Sequence, residues 1–512
     1  MMYLSSNALA APRLSLVGSA FASALALVQC SSSDPPATGN GETGPRDAGT
    51  TEVLDPIAAD SAVDGPSADA GGGSEAGAAE GSATADASSG AEYPLKVGPT
   101  GRYLVDASGH PFLLAGDAPQ SLIVNLSEAD AEFYFADRQA NGFNTLWINL
   151  LCDTYTGGRS DATTYDGIAP FTTVGDLSTP NEAYFRRADD MIRLAAKYGL
   201  NVLLDPIETG GWLTVLDSNG VAKDRAFGQY VGNRYKGFDN IIWLSGNDFQ
   251  SWRTAADDAA VSAVALGIKD VDTRHIQTVE LDFITSSSTD DPTWLPIIAL
   301  DSAYTYYPTY AQVLKSYDRA NPLPVYLIEG VYEFESNNQA HQATTATLRR
   351  QEYWTNLSGA TGQIYGNHYT WTFEPDWKAM LDSPGSLQMP HVRDLLAPRA
   401  WYALVPDPSH SVVTAGYGTM TTTGNVDDSD YVTAARTPDG SLVLAYMPTS
   451  RTITVDMTKL RGSARAQFYD PSNGTYAAVA GSPLPNSGTH AFTPPGPNSD
   501  GDGDWVLVLE AP

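Results

Sequence analysis

Acidic residues recur where apolar runs end along the middle of this chain. Gly116-Asp117 follows Phe112 to Ala115, Asp153 follows Thr145 to Leu150, and Glu208 lies beyond Asn201 to Asp205. Asn247-Asp248 follows Asn240 to Leu244, Asp282 follows Ile276 to Glu280, Asp301 with Tyr304 follows Ile297 to Leu300, and Glu329 follows Val325 to Ile328 directly. After Gly362 to Tyr365 come His368 and Trp371. Carboxyl groups gathered in this way, with no His or Cys ligand set among them, suit acid/base and nucleophilic work on a neutral, polyhydroxylated substrate. No metal and no other cofactor is expected, and neither H-E-x-x-H nor G-x-S-x-G occurs.

Glycoside hydrolysis needs two carboxyl groups facing each other across the scissile bond. Asp248 and Glu329 meet that need if the runs before them are the fourth and seventh of eight strands, because those lie on opposite sides of a closed barrel. Around them, Asp117, Glu208, Asn247, Asp282, Tyr332 and His368 are expected to bind sugar hydroxyls or brace the mouth. Trp212, Tyr304 and Trp371 are the expected sugar platforms, since an aromatic face offers a flat apolar surface to a ring. Trp147 and Trp243, inside strand runs, read as core, and Glu333 and Glu335, further out on the loop, as residues that support the site from behind or face solvent.

The elements that would place these groups alternate. Eight β-type runs are separated by amphipathic helical stretches at Glu128 to Gln139, Asn181 to Tyr198, Lys223 to Lys236 and Thr344 to Leu357. The pattern predicts an α/β fold, a (β/α)₈ TIM barrel over residues 93–405, entered through a hairpin from Tyr103 to Phe112. A helical stretch from Pro390 to Leu404 closes it. From 406 to 512 alternating runs such as Ser441 to Tyr446 and Trp505 to Leu509, with Asp439-Gly440 and Asn473-Gly474 turns, predict a small all-β antiparallel sandwich. Asp500-Gly501-Asp502-Gly503-Asp504 looks like the start of a calcium loop, but Ala511 stands where the closing Glu belongs, which favours a turn.

Residues 1–30 read as an export signal: Arg13, an apolar run from Leu14 to Val28, then Leu27-Val28-Gln29-Cys30. The last four residues resemble a lipobox in which Cys30 is acylated, although Gln29 is larger than the residue usual there, and a plain signal peptide is the alternative. Ser31 to Ser33 in place of a retention aspartate imply an outer-membrane or cell-surface address. Residues 31–92 carry twelve acidic residues against one arginine in an Ala/Gly/Ser/Pro background and read as a disordered tether. A formal charge of −31 excludes nucleic acid as a partner, and membrane contact is expected only through the anchor. Cys152, in an apolar run, reads as a small buried hydrophobe.

The segments Gly228 to Lys236 (Gly-Gln-Tyr-Val-Gly-Asn-Arg-Tyr-Lys) and Asn240 to Asp248 (Asn-Ile-Ile-Trp-Leu-Ser-Gly-Asn-Asp) closely resemble the strand-four region of the apiosidase-like glycoside hydrolases. Ala115 to Ala118, Arg138 to Asn144, Pro324 to Glu333 and Tyr353 to Gly366 add to the likeness, which covers about residues 94 to 380. Residues 408–512 resemble the β-sandwich labelled collagen-binding that is often fused to this barrel. The resemblance implies a retaining enzyme in which Asp248 is the acid/base and Glu329 the nucleophile, acting on oligo- or polysaccharide side chains. Asn247 departs from the family's usual Gly-Gly-Asp, and elsewhere in the clan an Asn here holds the sugar 2-hydroxyl. Two other functions fit the chain less well: a non-catalytic carbohydrate-binding surface lipoprotein, and a matrix adhesin acting through the C-terminal module. Mass spectrometry of the mature N-terminus is expected to find a lipid-modified Cys30; an unmodified terminus at another residue refutes the anchor.

Overall fold

The computed structural model describes residues 90–512; the signal segment, Cys30 and residues 31–89 of the tether lie outside them. Eight parallel strands form the centre: β1 Leu114–Asp117, β2 Thr145–Asn149, β3 Asn201–Asp205, β4 Ile241–Ser245, β5 Gln277–Val279, β6 Asp301–Thr305, β7 Val325–Glu329 and β8 Gly362–Tyr365. Their order is β5-β4-β3-β2-β1-β8-β7-β6, and a short strand Thr285–Ser287 adds antiparallel to β6. Between β5 and β6 there is no strand pairing. Side chains bridge that seam: Ser288 Oγ donates to the Val279 carbonyl at 2.6 Å and accepts from Ser302 N–H at 2.8 Å.

Strand residues alternate between two cores, as the two-residue period of a strand requires. Trp147, Leu203, Ile242, Leu244, Tyr304, Tyr326, Ile328 and Ile364 pack together in the barrel, while Leu146, Ile148, Val202, Leu204, Trp243 and Val279 face the helices. Cys152 is buried, as its apolar run implied.

The longer helices are α1 Glu128–Ala140, α2 Glu182–Lys197, α3 Thr209–Asn219, α4 Val221–Tyr235, α5 Ala255–Val271, α6 Thr309–Tyr317 and α7 Thr345–Leu357. Ser127 caps α1 by accepting from Asp130 N–H at 3.1 Å, and Asn181 caps α2 through Ala183 N–H, also at 3.1 Å. The packing of α4 on α5 explains the Gly228 to Lys236 segment. A Cβ on Gly228 would stand 2.1 Å from the Val264 carbonyl, and one on Gly267 2.1 Å from the Arg225 carbonyl, so the two backbones touch where neither helix carries a side chain. Arg234 then ties α4 to α2 through paired bonds of 2.8 to 2.9 Å to Asp189 and Glu182.

Two strand expectations need correction. The first barrel strand is Leu114–Asp117, because Pro111–Phe112 is spent pairing with Leu104–Val105 in the entry hairpin. The sixth is Asp301–Thr305 rather than Ile297 to Leu300, where Pro296 lies within a turn closed by Ile297 N–H to the Trp294 carbonyl at 2.8 Å. Asp301 therefore opens β6 at the closed end of the barrel and takes no part in the mouth.

The C-terminal β-rich part is a six-stranded antiparallel sheet facing a three-stranded one, with Val443, Ala445, Met447, Ile453 and Val455 between them. It docks on α6 and α7. Tyr446 stacks on Tyr353 at 5.1 Å, Trp354 Nε1–H donates to the Tyr431 carbonyl at 2.9 Å, and the Tyr310 hydroxyl lies 2.9 Å from Ser429 Oγ. The calcium-like sequence is indeed a turn, and its carboxylates close around a guanidinium: Arg349 meets Asp504 twice at 2.9 Å, Asp502 at 2.7 Å and Asp500 at 3.1 Å. Arg349 and Asp504 are both buried. Removing one partner of a buried ion pair strands the other charge. Arg349→Met is therefore expected to cost about 3 kcal/mol, read as a lower urea midpoint; a midpoint equal to wild type refutes this.

Candidate active site

Beyond Ser245 the chain turns through Gly246, Asn247 and Asp248 with φ of +106°, +62° and +56°. Left-handed backbone at a non-glycine residue costs about 1–3 kcal/mol, so the surroundings must impose it. Thr209 does so from β3's loop: its N–H and hydroxyl each reach the Gly246 carbonyl at 2.7 Å, and the hydroxyl reaches the Asn247 carbonyl at 3.0 Å. From beyond β5, Glu280 Oε2 accepts the Asp248 N–H at 3.1 Å. A Cβ on Gly246 would stand 2.1 Å from the Glu280 carbonyl, so no larger residue fits there.

Glu329 ends β7 and is buried. Its Oε1 accepts from the Tyr304 hydroxyl at 2.9 Å and from the Tyr306 hydroxyl, and its Oε2 accepts from the Tyr332 hydroxyl at 2.9 Å. Across the mouth, the half-buried Asp248 accepts from the Tyr155 hydroxyl at Oδ2, while its Oδ1 is enclosed and has no partner. Gln120 joins the two halves, accepting from Asn247 Nδ2 at 2.9 Å and donating to the Tyr332 hydroxyl at 3.3 Å.

Burial dominates the electrostatics. It raises the carboxyl of Asp248, and together with the Asp248 charge it raises that of Glu329. Glu280 is held well above the usual carboxyl range by burial, then by the charges of Glu329 and Asp248. No lysine, arginine or histidine is bonded to any of the three or is among the largest influences on them. Carboxyls so placed share protons rather than ionise together.

The other expected residues divide. Tyr332 and Tyr304 reach the reaction centre through their hydroxyls, and Tyr304 is too buried to serve as a platform. Trp371 stands edge-on to Tyr332 at 6.4 Å and is held with His368 by Glu335, at 2.9 and 3.2 Å. Asp282, near Asp248, is tied by Trp252 Nε1–H at 2.9 Å and by Arg253 at 2.6 Å. Three expectations fail as substrate contacts. Asp117 is sealed against Arg138 and Tyr134, Glu208 is buried with one oxygen on Asp153 N–H at 2.7 Å, and Trp212 lies in the helix-side core. Asn247 Nδ2 is engaged by Gln120. Of the two alternatives for Glu333 the solvent-facing one fails: it is buried and accepts from Ser383 Oγ at 2.6 Å and Gly385 N–H at 2.8 Å.

Sequence reasoning missed Tyr155, Gln120, Tyr306 and Glu280. Glu280 was within reach, because it stands two residues beyond Thr278 on a run already read as a strand, and Tyr306 two beyond Tyr304. Nothing marks Tyr155 or Gln120 in a single sequence. Among the described residues no group of His, Cys, Asp and Glu could hold a metal ion, and no helix is long and apolar enough to cross a membrane.

A family profile described as "Apiosidase-like, catalytic domain" matches residues 99–403. The chain belongs to the apiosidase-like glycoside hydrolase family. A second profile, "Putative collagen-binding domain of a collagenase", matches residues 419–510 of this apiosidase-like chain. Among solved structures, a glycoside hydrolase is similar at 23% identity and TM-score 0.70, over 82% of this chain and 97% of its own. A family 5 glycoside hydrolase from Bacteroides vulgatus is similar at 20% identity and TM-score 0.70, over 81% and 93%. Both likenesses concern the fold. No curated protein matches the chain.

The strained turn yields a direct test within this apiosidase-like site. Gly246→Ala drives a methyl group into the Glu280 carbonyl and displaces Asp248, and misplacement by about 1 Å costs roughly a hundredfold in rate. The variant is expected to fold, by circular dichroism, and to lose about that factor in kcat; near-normal turnover refutes the role given to the turn.

Proposed function

We propose that the chain is a retaining glycosidase acting on side chains of plant or microbial polysaccharides, with Glu329 as nucleophile and Asp248 as acid/base. One observation carries the assignment: three phenol hydroxyls stand within hydrogen-bond distance of Glu329, whereas Asp248 has that of Tyr155 on one oxygen, Tyr304 farther off, and a buried second oxygen without a partner. Hydrogen bonds to a carboxylate favour its charged form. The charge therefore rests on Glu329 and the proton on Asp248, whose free Oδ1 is the oxygen left to give that proton to a substrate.

In the first step Glu329 attacks the anomeric carbon as Asp248 protonates the leaving oxygen; in the second, Asp248 takes a proton from water, which attacks the same carbon and frees Glu329. The tyrosine donors must release part of their hold as the ester forms and restore it as the carboxylate returns. The anchor at Cys30 and a surface address are proposed with this reading, supported only by Leu27-Val28-Gln29-Cys30. The substrate would reach the enzyme outside the cell.

Mutants of the pair separate the two roles. Glu329→Ala is expected to abolish turnover of every substrate, whereas Asp248→Ala should retain the first step on aryl glycosides with good leaving groups and recover turnover with azide. Because burial raises Asp248, wild type keeps its acid form above the ordinary carboxyl range and loses activity as pH rises through that raised value. Asp248→Ala should lack this basic limb. Proton NMR should show the retained anomer first, the outcome for which carboxyls about 5–5.5 Å apart are needed; an inverted first product would falsify the assignment.

A further inference from the structure

Glu280 is the one buried carboxyl beside the proposed pair to which that mechanism gives no task. It follows β5 two residues after Thr278, with Val279 between them on the helix side. Strand alternation therefore turns Glu280 into the barrel mouth. The same alternation brings Asn149 after Trp147 and Asp205 after Leu203 to this layer, with Tyr304 on β6.

Its two oxygens are used unequally. Oε2 accepts the Asp248 N–H at 3.1 Å, while Oε1 is fully enclosed and has no partner. An ionised carboxylate is an acceptor only, and burying one with a single amide donor and no cation is costly. A neutral carboxyl suits the place better, since its carbonyl oxygen accepts the amide and its hydroxyl needs only an acceptor. Asp205 Oδ2 is left without a donor on the same floor, and burial pushes that carboxyl up to about 7. The titratable groups whose charges bear on Glu280 are Glu329, Asp248 and Asp205. Glu280 acts in turn on Tyr155, Tyr304, Tyr326 and Tyr332. No positive charge stands among them.

We propose that Glu280 is a positioning residue kept in its acid form: one oxygen holds the Asp248 turn, and the other, enclosed and protonated, lets the carboxyl brace that turn without adding a third charge beside Glu329. This rests on the assignment of that pair.

Infrared difference spectroscopy and kinetics on the full-length enzyme test this together. Wild type minus Glu280→Gln at pH 7 should show loss of a protonated-carboxyl C=O band, a readout independent of turnover. Loss of a carboxylate band instead overturns the proposal. With an aryl glycoside that wild type hydrolyses, Glu280→Ala should lower kcat/KM by about 10–100-fold, the worth of a buried hydrogen bond. Glu280→Gln, whose amide can both accept and donate, should recover most of that loss. A Gln variant as poor as Ala, or an Ala variant as good as wild type, overturns it. If Asp248→Ala or Glu329→Ala keeps full turnover, the pair itself is wrong and this inference falls with it; if both variants behave as assigned, failure at Glu280 is its own.

Discussion

A carboxyl group out of water is expensive to ionise, and the barrel mouth holds three of them with no cation bonded to any. Everything near the centre answers that constraint. Tyrosine hydroxyls and one backbone amide take the place of water around the charge, and phenols can hold a carboxylate without supplying a positive charge. An arginine or lysine at the same distance would solve the burial problem differently. It would draw both members of the pair into the ionised form, and the acid would then have no proton to give. Neutral donors hold the charge on one carboxyl and let the proton stay on its neighbour.

The rest of the fold acts by fixing where those groups stand. β4 ends in a turn no relaxed chain would adopt, so Asp248 depends on Thr209, Gln120 and Glu280 from three other parts of the mouth. α4 lies against α5 at backbone distance because glycines permit it, and Arg234 ties the same helix to α2. On the opposite side, the C-terminal module clamps α7, the helix that follows β7 and its Glu329. Its Val426 N–H also donates to Gln339 Oε1 at 2.7 Å, and Gln339 Nε2 donates to the carbonyl of Tyr306, a donor to Glu329. The residues a binding module would present outward are here partly spent on the barrel.

Much of this was legible in the sequence, and the failures have physical causes. Six of the eight barrel strands lie where apolar runs of strand length predicted them, because parallel strands buried on both faces read as continuous hydrophobic stretches. β6 does not, since Asp-Ser-Ala-Tyr-Thr is polar and faces a seam bonded through hydroxyls. The helices α3, α5 and α6 escaped notice because α3 is rich in Gly and Thr, α5 is apolar almost all round, and α6 is short. At the site, Asp248 and Glu329 could be found because they stand at the ends of rigid runs. Trp212 and Asp117 misled because exposure is not written in residue type. Tyr155 and Gln120 come from loops whose paths depend on the completed barrel.

The seam between β5 and β6 bears on how the enzyme accommodates a bound sugar. Elsewhere neighbouring staves are spaced by ladders of peptide hydrogen bonds, which resist sliding. Here the link runs through the hydroxyl of Ser288, a rotor able to keep both bonds while the strands on either side shift. Glu280 rides on one of those strands and Tyr304 on the other. At that seam the barrel can adjust by turning a side chain rather than by breaking a peptide ladder, and the give lies beside Tyr304, a donor to Glu329.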